Sequence, residues 1–444
     1  MKIAVIGGGV AGLGAAYGLK DAHDVVLYEK DARVGGHANT VSIDYDGRAI
    51  DVDTGFIVFN QQNYPNLLGL FAELGVESRL TDMSFACAGG GLEWSSNFPR
   101  GVFAQKRNLV RPSFLRMLHE IGRFNQLARA DLAMTVLDGV TLGAYLHLRG
   151  FHDTFRDKYL LPMGAAIWST TEGAMADIPA ESFLRFFANH GLLNVKQPLW
   201  STVSGGSRAY VAKLQAVLGD RIRVGVGAAK VVRGPHGVDV HDLRGGVERF
   251  DQVVFACHSD QALASLPDAD AEERAFLGAI RYAPNQAILH RDPSLMPKRR
   301  AAWGSWNYVT DLKPEIPPYV TYWMNTLQHI DPACPLFVSL NGPEPDPALV
   351  FGRYDYDHPQ FDGAALAAQR RMSRIQGRGG VWYAGAWLGY GFHEDGLTSG
   401  LRVAKALGGS VPWKFVDHRI EGGPLADFSP ATLAPQPEPQ RLSA

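Results

Sequence analysis

The apolar and polar positions at the start of the chain spell out three elements. Lys2-Ile3-Ala4-Val5-Ile6 is a short apolar run closed by glycine, the pattern of a buried strand. Leu13 to Lys20 reads as a helix, and Val25-Val26-Leu27-Tyr28 as a second buried strand. Gly7-Gly8-Gly9-Val10-Ala11-Gly12 joins the first two and fits G-x-G-x-x-G, with glycines at 7, 9 and 12. Gly7 allows the tight turn, Gly9 lets backbone approach a pyrophosphate, and Gly12 lets helix and strand pack closely. The helix N-terminus offers free N–H groups and the positive end of its dipole to phosphates. Glu29 closes the second strand, placed to accept hydrogen bonds from a ribose diol. A glycine loop framed by strand, helix, strand and terminal acid predicts binding of an ADP-containing dinucleotide.

Further on, the pattern changes twice. Phe103 to about Gly191 carries Leu, Phe and Met at three- and four-residue spacings and reads as mostly helical. Tyr282 to Tyr356 is rich in aromatics, β-branched residues and prolines, the grammar of strands with long loops. Arg221 to Val240, with Asp251 to Ala256, reads as a strand, a hairpin and a return strand. The tail from Glu421 to Ala444, rich in Pro, Gly, Ala and Ser, is expected to be mostly disordered.

Composition narrows the class. A chain of 444 residues exceeds one compact core, so two or three lobes are expected. The net charge of −2 gives no global electrostatic case for nucleic acid. Three scattered cysteines, Cys87, Cys257 and Cys334, suit a reducing cytosol and give neither a disulfide framework nor a zinc site; no metal site is read. A strand beginning at the second residue leaves no room for a signal peptide, and no apolar stretch reaches the ~18 residues of a spanning helix. The expected location is cytoplasmic.

The segment after Glu29 distinguishes the dinucleotides. Lys30-Asp31-Ala32-Arg33-Val34-Gly35-Gly36-His37-Ala38-Asn39-Thr40 leads into a hairpin-like stretch, Val41 to Ala49, and then Asp51-Val52-Asp53-Thr54-Gly55-Phe56. This resembles the flavin amine oxidase and phytoene desaturase superfamily, whose members carry E-x-x-x-x-x-G-G-[RH] after the second strand. His37 stands where many members have Arg. Val381-Trp382-Tyr383-Ala384-Gly385-Ala386 and Gly389 to Gly400 resemble that family's last strand and second flavin helix. The resemblance runs to about Lys414.

It implies an α/β fold: a Rossmann-like FAD-binding domain of glutathione-reductase type, with a mixed substrate domain of antiparallel sheet and helical cap. The implied division is FAD-binding domain at 1–80, 201–262 and 378–416, cap at 81–200, substrate sheet at 263–377, and a Pro-rich tail at 417–444. The implied FAD contacts are Gly7, Gly9, Val10, Ala11, Gly12, Glu29, Lys30, Gly35, Gly36, His37, Asn39, Thr40, Thr54, Gly55, Phe56, Ala228, Gly385, Glu394, Asp395, Gly396 and Ser399. No cysteine follows Cys334, so FAD is expected to be non-covalent. A helix starting near Asp395 would direct its positive end at the flavin pyrimidine.

Within the superfamily, four phrases resemble a bacterial group often encoded beside cyclopropane-fatty-acid-synthase-like methyltransferases. They are Leu199 to Ser207, Ala279 to Asn285, Trp303 to Tyr308 and Gly389 to Gly396. That resemblance implies desaturation of an unsaturated or methyl-branched acyl chain of a phospholipid, by hydride transfer from an allylic carbon to flavin N5. Oxygen or a redox partner is the expected acceptor. His393, with a pKa expected near neutrality, is the candidate base, and Glu394 would orient it or hold a flavin or ribityl hydroxyl, the alternative being that both only cap the helix; Tyr390 and Tyr322 would line the pocket. Trp168, Trp200, Trp303, Trp306, Tyr308, Tyr319, Tyr322 and Trp323 together suggest a large apolar pocket. An amine oxidase, a redox-neutral double-bond isomerase and a non-enzymatic lipid escort remain as alternatives. Between Arg100 and Arg129, seven cations interleave with Phe103, Leu109, Phe114, Leu115, Leu118, Ile121 and Phe124, and only Glu120 is acidic. Such a stretch is expected either to meet an anionic membrane or to form a solvated basic face.

Overall fold

The computed structural model describes residues 1–417, apart from 135, 136, 138, 169, 195–197 and 311–317. The tail assigned from Glu421 lies outside the described residues. Five parallel strands form the nucleotide sheet, in the order Ile222–Val224, Asp24–Glu29, Lys2–Ile6, Gln252–Phe255 and Val381–Tyr383. Ile3 to Ile6, Val25 to Tyr28 and Val253 to Phe255 are all buried. A parallel sheet covered on both faces has no wet side, which is why these strands read as unbroken apolar runs. The chain leaves Lys2–Ile6 toward Asp24–Glu29 on one side, while Gln252–Phe255 flanks it on the other. A crevice therefore opens at the strands' carboxyl ends, a topological switch point.

Helix Val10–Leu19 is buried along its whole length. It crosses helix His393–Ala406 so closely that glycine is needed at positions of contact on both helices. A Cβ on Gly400 would stand 3.0 Å from the Ala11 carbonyl carbon, and one on Gly14 2.6 Å from Leu397 Cδ1. The first helix begins at Val10, earlier than the expected Leu13, because Gly9 is extended and lets the helix start directly after the loop. Strands Thr40–Tyr45 and Arg48–Asp53 form the expected hairpin.

A seven-stranded sheet forms the second lobe, in the order Val350–Gln360, Arg281–His290, Phe337–Leu340, Tyr319–Trp323, Trp306–Val309, Phe85–Gly89 and Leu92–Ser95. Its pairs are antiparallel except for Trp306–Val309 against Phe85–Gly89. The last two strands lie in the stretch 81–200 assigned to the cap, so the cap proper begins after Ser95. It is built around helix Pro112–Ala133 and helix Ala180–Asn189, on a core that includes Phe114, Phe124, Phe155, Phe183 and Phe187. Among the described residues no helix is long and apolar enough to cross a membrane.

Candidate active site

The glycine loop closes on itself as the spacing requires. Gly7 takes φ +110°, and a Cβ there would stand 2.7 Å from the Ala256 carbonyl oxygen. A Cβ on Gly12 would stand 3.0 Å from the Gly7 carbonyl carbon and closer still to its oxygen. Gly9 differs: a Cβ there would meet nothing within 4 Å. Helix Val10–Leu19 has no side-chain cap and no acid in its first turn. Open space over an uncapped helix N-terminus is a seat for a phosphate group. The Gly35-Gly36 pair folds back onto this loop. The Gly35 amide donates to the Gly8 carbonyl at 2.7 Å, and a Cβ on Gly36 would stand 3.2 Å from the Gly9 Cα.

Glu29 is held ready at the strand end. Its carboxylate accepts from the Gly8 amide at 2.7 Å and the Asp31 amide at 2.8 Å, leaving lone pairs for a ribose diol. The Val226 amide donates to the Glu29 carbonyl at 2.9 Å, bringing the turn before Ala228 to the same end of the sheet. Lys30 points outward, with Nζ 3.3 Å from Asp31. These features fit the ADP half of FAD.

At the opposite end, helix His393–Ala406 starts two residues before the expected Asp395. Asp395 reaches back and accepts from the amides of Phe392 at 2.9 Å and Tyr390 at 3.0 Å, which fixes that start. Ser399 ties Gly385 to the helix: its hydroxyl accepts from the Gly385 amide at 2.8 Å and donates to the Gly396 carbonyl at 2.7 Å. Gly396 packs on Val10, where a Cβ would stand 2.8 Å from Cγ1. The N-termini of both helices therefore open on one crevice. Gly55 fits under His37, and the Phe56 amide donates to the His37 carbonyl at 2.7 Å.

Several assigned side chains prove to be structural. Glu394 neither orients His393 nor faces the crevice. Its two oxygens accept from the amides of Asn66 at 2.8 Å and Leu67 at 2.9 Å, capping helix Pro65–Leu74. His393 lies flat on Phe56, with ring centroids 3.8 Å apart, and its Nε2 is 2.6 Å from the Tyr210 hydroxyl. Burial lowers its pKa to about 3, so the expectation of a near-neutral base is corrected. Thr40 donates to Asp53 at 2.5 Å and accepts from the Arg208 amide at 2.9 Å. Asn39 and Thr54 bond to each other and to the Tyr356 hydroxyl.

Buried groups beyond the expected residues also shape the site. Asp53 is buried and gathers Ser207, Thr40 and Gln328. The Ser204-Gly205-Gly206-Ser207 run was its signal, since Gly206 at φ +82° delivers the Ser207 amide to Asp53. Tyr210 and Tyr356 were also missed. So was a convergence of imidazoles: His37 stacks on His358 at 5.6 Å, and His258 stands close enough to lower the pKa of both. Burial is the larger cause for each, and it brings His358 down to about 4. His258 follows Cys257, whose amide a Cβ on Gly7 would approach to 3.2 Å, so it borders the nucleotide crevice.

The aromatic set divides. Tyr308 and Tyr319 are core, and the Arg300 guanidinium lies over the rings of Trp303 and Trp323, which meet edge to face. Trp200 lies on the small sheet with Val58–Asn60 and Ser78–Thr81. Trp168, Trp306, Tyr322 and Tyr390 border the cap core, with Phe392. Phe186 links them, 4.4 Å from the Trp168 ring, 5.4 Å from Tyr390 and 5.3 Å from Phe392. Burial raises the Tyr322 pKa, so that phenol stays protonated.

The chain matches the family described as flavin containing amine oxidoreductase over residues 10–289, more than half its length. It belongs to that family. That family is one of flavin-dependent oxidoreductases, and FAD is its cofactor. A 15-cis-phytoene desaturase of Narcissus pseudonarcissus is 30% identical over 183 residues, covering 38% of this chain and 31% of that protein. A probable zeta-carotene desaturase of Synechococcus elongatus is 32% identical over 145 residues, covering 31% and 29%. The matched stretch thus spans about a third of each curated relative. Among solved structures, putrescine oxidase bound to putrescine has a TM-score of 0.67 at 16% identity, covering 92% of this chain and 99% of that one. A fatty acid isomerase from P. acnes has a TM-score of 0.62 at 18% identity, covering 91% and 97%. Those two likenesses show the fold.

Proposed function

We propose that this oxidoreductase removes hydrogen from an allylic C–C unit of an uncharged apolar chain, an unsaturated or methyl-branched fatty acyl chain of a phospholipid. The observation that carries the reading is the state of the acids around the flavin end. Glu394, Asp395 and Asp53 are all committed to backbone amides or buried hydroxyls. Those bonds hold each carboxylate in the frame of the fold. Trp168, Trp306, Tyr322, Tyr390 and Phe392 border the cap core, with Tyr390 and Phe392 directly before the helix that carries Glu394 and Asp395, and the nearby imidazoles are held neutral by burial. Neutral rings give a hydrocarbon chain apolar area to lie against, and cation–π contact is all they offer an ammonium. FAD, when bound, supplies the hydride acceptor; the substrate also gives up a proton, and oxygen or a second carrier takes the electrons. The chain's part is to hold the acyl chain against the aromatic wall and to exclude water.

The likeness to a fatty acid isomerase supports a second reading, a double-bond shift without net oxidation. Mass spectrometry of total lipid fatty acids, with and without this protein expressed, separates the two. Loss of two hydrogens from an acyl chain supports desaturation, and a product of unchanged mass supports isomerisation. Hydrogen peroxide released with amines, and unchanged lipids, would overturn both in favour of an amine oxidase. A purified protein that binds no flavin would point to a lipid escort.

A further inference from the structure

One end of the cap exposes apolar side chains that no described residue covers. The chain leaves strand Leu92–Ser95, turns through Lys106–Leu109 and enters the long helix at Pro112. Its inward residues are core: Val102 and Phe114 are buried, and Phe103 bridges Phe98 and Phe114 at ring separations of 6.4 Å. Its outward residues are not. Phe98 and Val110 are each 79% exposed, Leu109 54% and Leu115 43%. Single exposed apolar residues are ordinary, but four on one short segment form a patch.

Cations surround it. Arg100, Lys106 and Arg107 are exposed, and Arg107 is pinned to the Gly91 carbonyl. The nearby acids are already engaged. Glu120 is buried and accepts from Arg116 and the His152 amide, and Glu93 is held by Arg299 at 2.9 Å. Arg299 brings Lys298 and Arg300, both exposed, to the same edge strand. Among the described residues Arg100, Lys106 and Arg111 make no ion pair. The cations farther along the helix are committed elsewhere. Arg123 lies over the Phe151 ring at 4.4 Å, and Arg129 donates to the Leu193 carbonyl at 2.8 Å. The basic stretch expected at Arg100–Arg129 thus contracts to its first half.

We propose that the ridge Phe98–Leu115 docks the protein on an anionic lipid bilayer. Phe98, Leu109, Val110 and Leu115 enter the boundary between headgroups and acyl chains, and Arg100, Lys106 and Arg111 lie among the lipid phosphates. Apolar tips ringed by unpaired cations match that interface in both chemistries. The ridge shares its core with Phe186, which touches Tyr390 and Phe392, so docking seats the lobe that walls the flavin end on the bilayer. The proposal does not depend on the acyl-chain reading, because it is tested without turnover.

The test is flotation of the flavin-loaded protein with vesicles of phosphatidylcholine, alone or mixed with phosphatidylglycerol. Binding is expected to the mixed vesicles and to weaken as salt rises. Reversing Arg100, Lys106 and Arg111 to Glu together should weaken it by at least about ten-fold. Phe98→Ser with Val110→Ser should remove it even at low salt, with flavin absorbance and melting temperature unchanged. A Phe98→Trp variant should show a blue-shifted emission on the mixed vesicles. No flotation, or flotation indifferent to both sets of changes, overturns the proposal. So does binding lost with the charge reversals but kept by the double serine variant, which would assign the cations to a soluble polyanion. Capture of a purified protein partner by the ridge in place of vesicles would likewise overturn it.

Discussion

Gly9→Ala and Gly12→Ala should fail in opposite ways, though only Val10 and Ala11 separate them in one motif. At Gly9 the backbone has φ −72° and ψ −179°, which alanine adopts freely, and a Cβ meets no protein atom within 4 Å. The flavin-free G9A protein should therefore be as stable as the parent, or up to ~1 kcal/mol more stable, because alanine restricts the unfolded chain. The methyl group instead occupies the space over the uncapped helix end. Displacing one charge-assisted hydrogen bond to a phosphate costs about 1.5–3 kcal/mol, so FAD affinity should fall roughly ten- to 150-fold. At Gly12 the added Cβ drives into the Gly7 backbone, 3.0 Å from its carbonyl carbon. A carbonyl cannot rotate away as a side chain can, so the cost belongs at the upper end of overpacking, about 3 kcal/mol. Urea unfolding of flavin-free proteins reads the first quantity, and FAD titration by fluorescence quenching the second. Comparing loaded proteins would mix the two, since bound FAD itself raises apparent stability. A G9A protein that binds FAD normally, or is as destabilised as G12A, would refute the assignment of Gly9 to the pyrophosphate and Gly12 to packing.

Glu394→Gln should set an NH2 group against the Asn66 or Leu67 amide and destabilise the flavin-free fold by about 1–3 kcal/mol. Burial raises the Glu394 pKa from 4.5 to about 8, so its favourable share is full below 4.5 and is lost as pH rises through about 8; the variant should flatten that slope in urea unfolding, and an unchanged slope would count against it. His290 bonds Ser339 at 2.8 Å, and burial lowers its pKa from 6.5 to about 4. Its share of stability is present above 6.5 and lost as pH falls through about 4, so His290→Gln should flatten the acid limb of stability, and a limb of undiminished slope would contradict this. With a pKa of about 3, His393 stays neutral at neutral pH, and His393→Gln should leave the shape of the pH profile for flavin reduction unchanged; stopped-flow data in which a limb near neutrality disappears would restore it as the base.

The nucleotide end was legible because its chemistry is local. Gly7 to Gly12, Glu29 and Gly35-Gly36 act within one stretch of chain, so spacing alone conveys their geometry. The flavin helix was nearly legible, and its true start at His393 was hidden by a side chain, Asp395, that caps backwards. What could not be read was anything fixed by distant pairing. Phe85–Gly89 looks like the entrance to a helical cap, yet its partner is Trp306–Val309. Glu394 beside His393 looks like an acid–base pair, yet its donors are Asn66 and Leu67 on another helix. His258 and His358 carry no signal at all, because only the meeting of two lobes brings them to His37.

The same displacement of roles shapes the chemistry at the flavin-facing helix. Its first turn holds two acids, which would oppose any negative charge arriving at the helix N-terminus. Both are turned aside onto backbone amides, Glu394 onto a neighbouring helix and Asp395 onto the residues before its own. Burial also raises both pKa values, Asp395 to about 6 and Glu394 to about 8, which reduces their charge further. The helix end thus keeps its dipole for the crevice while its acids secure the frame. His393 is handled alike: stacked on Phe56 and bonded to Tyr210, it serves as a neutral wall and brings no charge to the site. The helix N-terminus therefore brings backbone positive potential to the flavin end. An arrangement of that kind stabilises electrons delivered to the cofactor.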